Sequence, residues 1–173
     1  KYYGNFDILE QSIFKEFFDH AFTLLEKSED YKTFESRDKL LSFYFTFFEI
    51  LTINRSFVVY MLKNQKDQLQ KQRSLIKLKN RFTLFVKQLE ISLFEVNQEQ
   101  LQKVQLKTIK ESAWLQLLIT IKFWLDDTSS SFEKTDIFIE KSVNTSFDLI
   151  DIKPFKSIID LGKFLYKEKM QMN

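Results

Sequence analysis

Cysteine is absent from all 173 residues. Disulfide frameworks, thiolate zinc sites and cysteine nucleophiles are therefore excluded, and a reducing, cytoplasmic setting fits that absence. Glycine occurs twice and proline once. Tight hairpin turns draw on those residues, so a strand-rich fold would lack its punctuation. Histidine occurs once, as His20. A di-iron bundle needs Glu-x-x-His motifs from two helices, which one histidine cannot supply. Ser-His-Asp chemistry on a nucleophile elbow needs a G-x-S-x-G turn, and none is present. Charge bias is also missing: 26 basic against 24 acidic residues leave +2, short of the basic footprint of a dedicated nucleic-acid surface. No hydrophobic run reaches the ~20 residues of a membrane span. The longest, 43–53 and 115–125, are interrupted by Glu49 and Lys122. No signal-peptide pattern opens the chain. These absences point away from a hydrolytic, redox or metal enzyme, from any cofactor, and from a membrane partner.

What is present is helical patterning. Hydrophobic residues make up 44% and charged residues 29%, a balance from which one domain of this length can bury a core without staples. Residues 5–27 carry one broad apolar face from Ile8 to Leu25, with Asn5 as an N-cap and Asp7 in the first turn. Residues 36–53 are apolar nearly all round, which places that helix inside the bundle; Ser36 is the expected N-cap. Asn54-Arg55-Ser56 breaks it, and a short helix over 57–64 follows. Over 68–94, Leu75, Leu78, Phe82, Phe85 and Leu89 recur at spacings of 3, 4, 3 and 4, a packing seam. Residues 98–110 are polar with sparse apolar anchors. Residues 110–125 carry two apolar faces, one through Trp114, Leu117, Leu118, Ile121 and Leu125, another through Leu115, Ile119 and Phe123. Ser130-Ser131-Phe132-Glu133 reads as a capping box opening a helix to about residue 150. Pro154 fits the first turn of a last helix. The expected fold is all-α, a bundle of about six helices.

Three groupings could carry function. The aromatic set contains Tyr44, Phe47, Phe48, Tyr60, Phe85 and Trp114. It reads either as the lining of an apolar pocket between helices or as a phenylalanine-rich core filled by its own rings. Tyr44, Tyr60 and Trp114 carry polar handles that need partners if buried. The second apolar face of 110–125, with the apolar residues of the following helix, calls for a second partner; Leu118, Ile121, Leu125, Ile139, Val143 and Phe147 are the expected contact residues of a homodimer. The basic stretch 63–81 holds seven cations against Asp67. They are scattered round the helix without interleaved aromatics, as on a solvated face.

Two segments resemble a known family. Tyr2-Tyr3-Gly4-Asn5-Phe6-Asp7-Ile8-Leu9 resembles the point in TetR-type repressors where the helix-turn-helix head ends and the connecting helix begins, with Gly4-Asn5 in place of the usual loop. Phe123-Trp124-Leu125-Asp126-Asp127-Thr128-Ser129, followed by Phe132-Glu133-Lys134-Thr135-Asp136 and Ile139-Glu140-Lys141-Ser142, is similar to the final helices of one group of those regulators. The resemblance spans the whole chain. It implies that residues 1–6 end a DNA-binding head lying mostly before Lys1, with Tyr2 and Tyr3 near the DNA. Residues 7–173 would form an effector-binding body that dimerises through a four-helix bundle. It also implies a bacterial, ligand-responsive regulator, a repressor, that meets operator DNA through that head and a small, apolar effector in the aromatic set. Without an effector pocket, the same residues would make a helical protein–protein interaction module.

Overall fold

In the computed structural model, described for residues 3–63, 73–91, 99–151, 160–162, 164 and 167, every regular element is helical. In chain order these are α1 (Tyr3–Glu26), α2 (Glu29–Thr33), α3 (Ser36–Ile53), α4 (Arg55–Lys63), α5 (Ile76–Gln88), α6 (Glu99–Asp126) and α7 (Glu133–Asp151), with a 3-10 turn at Ser130–Phe132 before α7. The all-α expectation holds among the described residues. The expected helix from Pro154 lies mostly outside them.

α3 is the central rod. It packs on α1 and α7, while α5 packs on α1 and α6, and α6 on α7. Leu40, Phe43, Tyr44, Phe47, Phe48, Ile50 and Leu51 of α3 are all buried, which follows from its apolar circumference. The seam in α5 is realised fully: Leu75, Leu78, Phe82, Phe85 and Leu89 are at most 6% exposed. No single described helix is long and apolar enough to cross a membrane. α3 and α4 meet at a 90° bend, where Asn54 closes α3 by donating its backbone and side-chain nitrogens to the Ile50 carbonyl.

Several local expectations shift. α1 already runs at Tyr3, so Asn5 lies inside it rather than capping it. Glu35 takes the N-cap position of α3, and Ser36 Oγ instead donates to the Leu89 carbonyl at 2.6 Å, tying α3 to the end of α5. The polar and apolar stretches 98–110 and 110–125 form one 28-residue helix, α6. No glycine or proline interrupts it, and an intrahelical ladder continues unless something breaks it.

The α6–α7 junction is built differently from a capping box. The Asp127 carboxylate accepts Ser129 N at 2.8 Å, Ser129 Oγ at 2.7 Å, Thr135 N at 3.0 Å and Thr135 Oγ1 at 2.6 Å. Ser129 Oγ in turn accepts Lys134 N at 3.2 Å. Asp127 thus does for the start of α7 what Ser130 was expected to do. Arg55 closes the other side. Its guanidinium lies 4.5 Å from the ring centres of both Trp124 and Phe132 and donates to the carbonyls of Trp124, Leu125 and Asp127 at 3.0, 3.2 and 3.3 Å. A cation on the last carbonyls suits the negative end of a helix. Ser131 and Phe132 adopt φ of 50° and 60°, costly for residues with a Cβ; the packing of Phe132 under Arg55 and beside Trp124 holds them there.

Asp127 sets an expected acid response. Burial raises its pKa, but the hydrogen bonds from Thr135 and Ser129 outweigh that and hold it at about 2, below its ordinary 3.8. A depressed carboxylate contributes stability above its unfolded pKa and loses it as pH falls through the folded one. The window is therefore pH 4 down to 2, and the amount is about 2 kcal/mol at neutral pH. Urea unfolding followed at stepped pH should show this loss, and Asp127→Asn should flatten that part of the profile while lowering stability at pH 7. An unchanged acid slope in Asp127→Asn would contradict the assignment.

Candidate functional site

The 3–4 spacing along α3 lines up two pairs of rings. Phe43 stacks on Phe47 at 5.4 Å and Tyr44 on Phe48 at 6.1 Å. From α5, Phe82 and Phe85 reach Phe43 at 5.6 and 5.0 Å. Phe18 of α1 reaches it at 5.0 Å, and Trp114 of α6 closes on Phe82 at 6.4 Å. Of the six residues expected to line a pocket, Tyr44, Phe47, Phe48 and Phe85 are buried and in one cluster. Trp114 is only partly buried at its edge. Tyr60 stands on the surface at 62% exposure, so it leaves the set. The rings fill the space between the helices with each other, as the self-filled alternative anticipates.

Polar handles in the interior are treated unequally. Trp124 is fully buried, and its Nε1 donates to Thr52 Oγ1 at 3.0 Å. Tyr44 is equally buried, yet its hydroxyl has no hydrogen-bond partner among the described residues. Burial pushes its pKa up, so the phenol stays protonated and remains a donor. The Tyr31 hydroxyl of α2 is also buried without a partner among the described residues; burial, with Glu26 adding, raises its pKa to about 12.

The second feature is a surface. Leu115, Ile119 and Phe123 of α6 and Ile137 of α7 are 57%, 48%, 37% and 50% exposed. Phe123 and Phe138 stack across the two helices, 4.6 Å apart and 9° from parallel. The stack separates two open depressions. One, of about 350 Å³, is lined by Ile119, Lys122, Phe123, Asp126 and Lys134 among others. The other, of about 560 Å³, runs along Phe123, Ile137, Phe138, Lys141 and Thr145.

The contact residues expected for a dimer lie elsewhere. Ile121, Ile139 and Val143 are 4%, 0% and 0% exposed, and Leu118, Leu125 and Phe147 pack against the same core. These six face inward because α7 lies on α3 as well as on α6, which uses up the face through Leu118 and Ile121. The free face is the other one, through Leu115, Ile119 and Phe123. The four-residue spacing of those three was visible in the sequence. What was not visible was which of the two faces the chain covers itself.

The family described as tetracyclin repressor-like, C-terminal domain, matches residues 39–165, well over half of the chain. The chain belongs to that family. No curated protein and no solved structure gave a significant match. The match begins within α3 and runs through α7, so it includes most of the aromatic cluster and both helices of the exposed face. The chain is thereby an all-α member of a transcription-regulator family.

In this repressor-like domain α1 lies against α5 and the residues just before it through a set of polar contacts. Ser74 Oγ donates to Glu10 Oε2 at 2.9 Å, both residues being buried. Lys77 Nζ meets Ser12 Oγ at 3.0 Å, and Arg81 grips Asp19 Oδ1 through Nε and a terminal nitrogen at 2.7 and 2.6 Å. Asp19 also bonds Lys15; burial works against its charged form, but these two cations hold its pKa below the ordinary value. Lys79 pairs with Glu111 and Lys63 with Asp126. These basic residues of 63–81 are structural ties, while Lys66 and Lys71 lie outside the described residues. Of the two tyrosines implied to lie near DNA, Tyr2 is outside the described residues, and Tyr3 is described only as the first residue of α1. His20 is exposed.

Proposed function

We propose that this chain is the effector-binding and dimerising body of a ligand-responsive transcriptional regulator, most simply a bacterial repressor, with no catalytic role. Family membership over residues 39–165 carries the reading, and two features support it. The aromatic cluster of α3, α5 and α6 is the apolar interior in which a small, apolar effector would lodge, its rings parting to admit it. The exposed face of α6 and α7 is the surface that a second copy would cover, giving two helices from each protomer in a four-helix contact. α1, tied to α5 by Ser12–Lys77 and Asp19–Arg81 and to the residue Ser74 just before it by Glu10, would carry changes in the core toward a DNA-binding head and its operator. The cytoplasm is the setting such a regulator needs.

The rival is a helical interaction module, which the close packing of the rings favours. Native mass spectrometry of the purified protein discriminates. The proposed reading expects a species of twice 20.9 kDa that retains a small molecule or takes up an apolar one. A species of 20.9 kDa that takes up nothing would favour the module.

A further inference from the structure

One group inside the aromatic cluster does not fit a core built only to be full. The rings around Tyr44 are those of Phe43, Phe48 and Phe82, at 6.2, 6.1 and 6.3 Å, and this chain uses phenylalanine 20 times. A phenylalanine at position 44 would fill the same space. The tyrosine adds a hydroxyl that is buried from water and has no hydrogen-bond partner among the described residues. A buried donor left unsatisfied loses its water bonds without replacement, and such a group in a native interior calls for an explanation. The comparison within the molecule is direct, because the Trp124 N–H, equally buried, has Thr52 for a partner.

We infer that Tyr44 is the hydrogen-bond anchor of the effector, and that the effector is an uncharged, mainly apolar molecule offering a single acceptor oxygen, of the ketone or ether kind. The inference rests on the reading of this core as the effector site. The acceptor follows from the donor: a phenol kept protonated by burial offers its O–H. Absence of charge follows from the walls. The ring contacts of Tyr44 are all phenylalanines, and the buried charged residues of the described chain, Glu10 and Asp127, are committed to Ser74 and to Ser129 and Thr135. An ion placed beside Tyr44 would meet those phenylalanine rings, at a prohibitive cost. Trp114, partly buried and in ring contact with Phe82, stands at the edge of the cluster, and Phe82 is in turn in ring contact with Tyr44, so a molecule entering past Trp114 would be led to the hydroxyl.

The test uses two probes of one shape, acetophenone and ethylbenzene, which differ by a carbonyl in place of a methylene. Their binding to the wild-type protein and to Tyr44→Phe is measured by ligand-observed NMR titration. Tyr44→Phe should weaken acetophenone about tenfold, the worth of one hydrogen bond in a dry site, and leave ethylbenzene unchanged or slightly tighter. The ligand-free variant should melt about 2–4 °C higher, because the unsatisfied hydroxyl is gone. Equal effects on both probes, or a lower melting temperature in the variant, would overturn Tyr44 as the anchor while leaving the core as the effector site. Failure of both probes to bind the wild type would overturn the anchor together with the effector-core reading.

Discussion

Phe43→Ala is expected to cost about 4 kcal/mol of folding stability, the usual loss for a buried ring removed from a packed core. Phe43 has no exposed surface. It is in ring contact with Phe18, Tyr44, Phe47, Phe82 and Phe85 at 5.0–6.2 Å, so one side chain joins α1, α3 and α5. Truncation loses the transfer energy of the ring and leaves a cavity that rigid rods on three sides cannot collapse. It also removes aromatic pairings worth about 0.5–1.5 kcal/mol each beyond area. Domains are stable by only about 5–15 kcal/mol, so the variant should unfold at a much lower urea concentration than the wild type. Phe43→Leu keeps much of the volume and should fall between them. Phe45, two residues on along the same helix and 39% exposed, serves as the control, and Phe45→Ala should change little. Equal losses at positions 43 and 45 would show that the cluster is not the keystone of the fold.

That hierarchy was partly written in the sequence. The seam from Leu75 to Leu89 was legible because a stripe at 3.5-residue spacing has one physical solution, burial against a neighbouring helix. The central place of α3 was legible because a helix apolar on all sides has nowhere else to go. Position 127 was not legible. Between residues 126 and 136 lie two aspartates ahead of five serines and threonines and a third aspartate, any of which can cap a helix. Asp127 prevails because one ionised carboxylate satisfies four donors at once, through charge-assisted bonds roughly twice as strong as neutral ones, whereas the Ser130–Glu133 box would satisfy two. Arg55 was passed over as part of a helix break. Its role needs Trp124 and Phe132, about seventy positions on, and no local pattern links them. The aromatic set was legible as a cluster but not in its membership. Tyr60 shares the composition of that set, yet α4 leaves the bundle axis at 90° after Asn54 and puts it in water.

Phe123→Glu should turn the proposed dimer into a folded monomer, and the contrast with buried neighbours makes the result specific. Phe123 is 37% exposed and stacked on Phe138, at the centre of the free face, with Leu115 and Ile119 above it on α6 and Ile137 beside it on α7. A soluble monomer seldom leaves so continuous an apolar patch wet. A two-fold contact brings the same patch from both copies together, which places Phe123 near the axis and leaves Lys122, Lys134 and Lys141, all exposed, at a hydrated rim. An interface of ordinary size, about 800 Å² per partner, would suffice. A carboxylate at position 123 would enter that contact twice, once from each protomer, and bring two like charges together near the axis. Dehydrating it should raise the dissociation constant on the order of a hundredfold or more. The fold should survive, since in a single protomer residue 123 meets solvent and circular dichroism need not change. Ile139→Glu and Ile121→Glu are the opposing case. Those side chains are 0% and 4% exposed inside the protomer, so a buried charge there should unfold the chain rather than dissociate it. Sedimentation equilibrium and helical signal measured together separate the outcomes. A Phe123→Glu protein that remains dimeric would remove this face from consideration, and a folded monomer from Ile139→Glu would return the contact to the inward set.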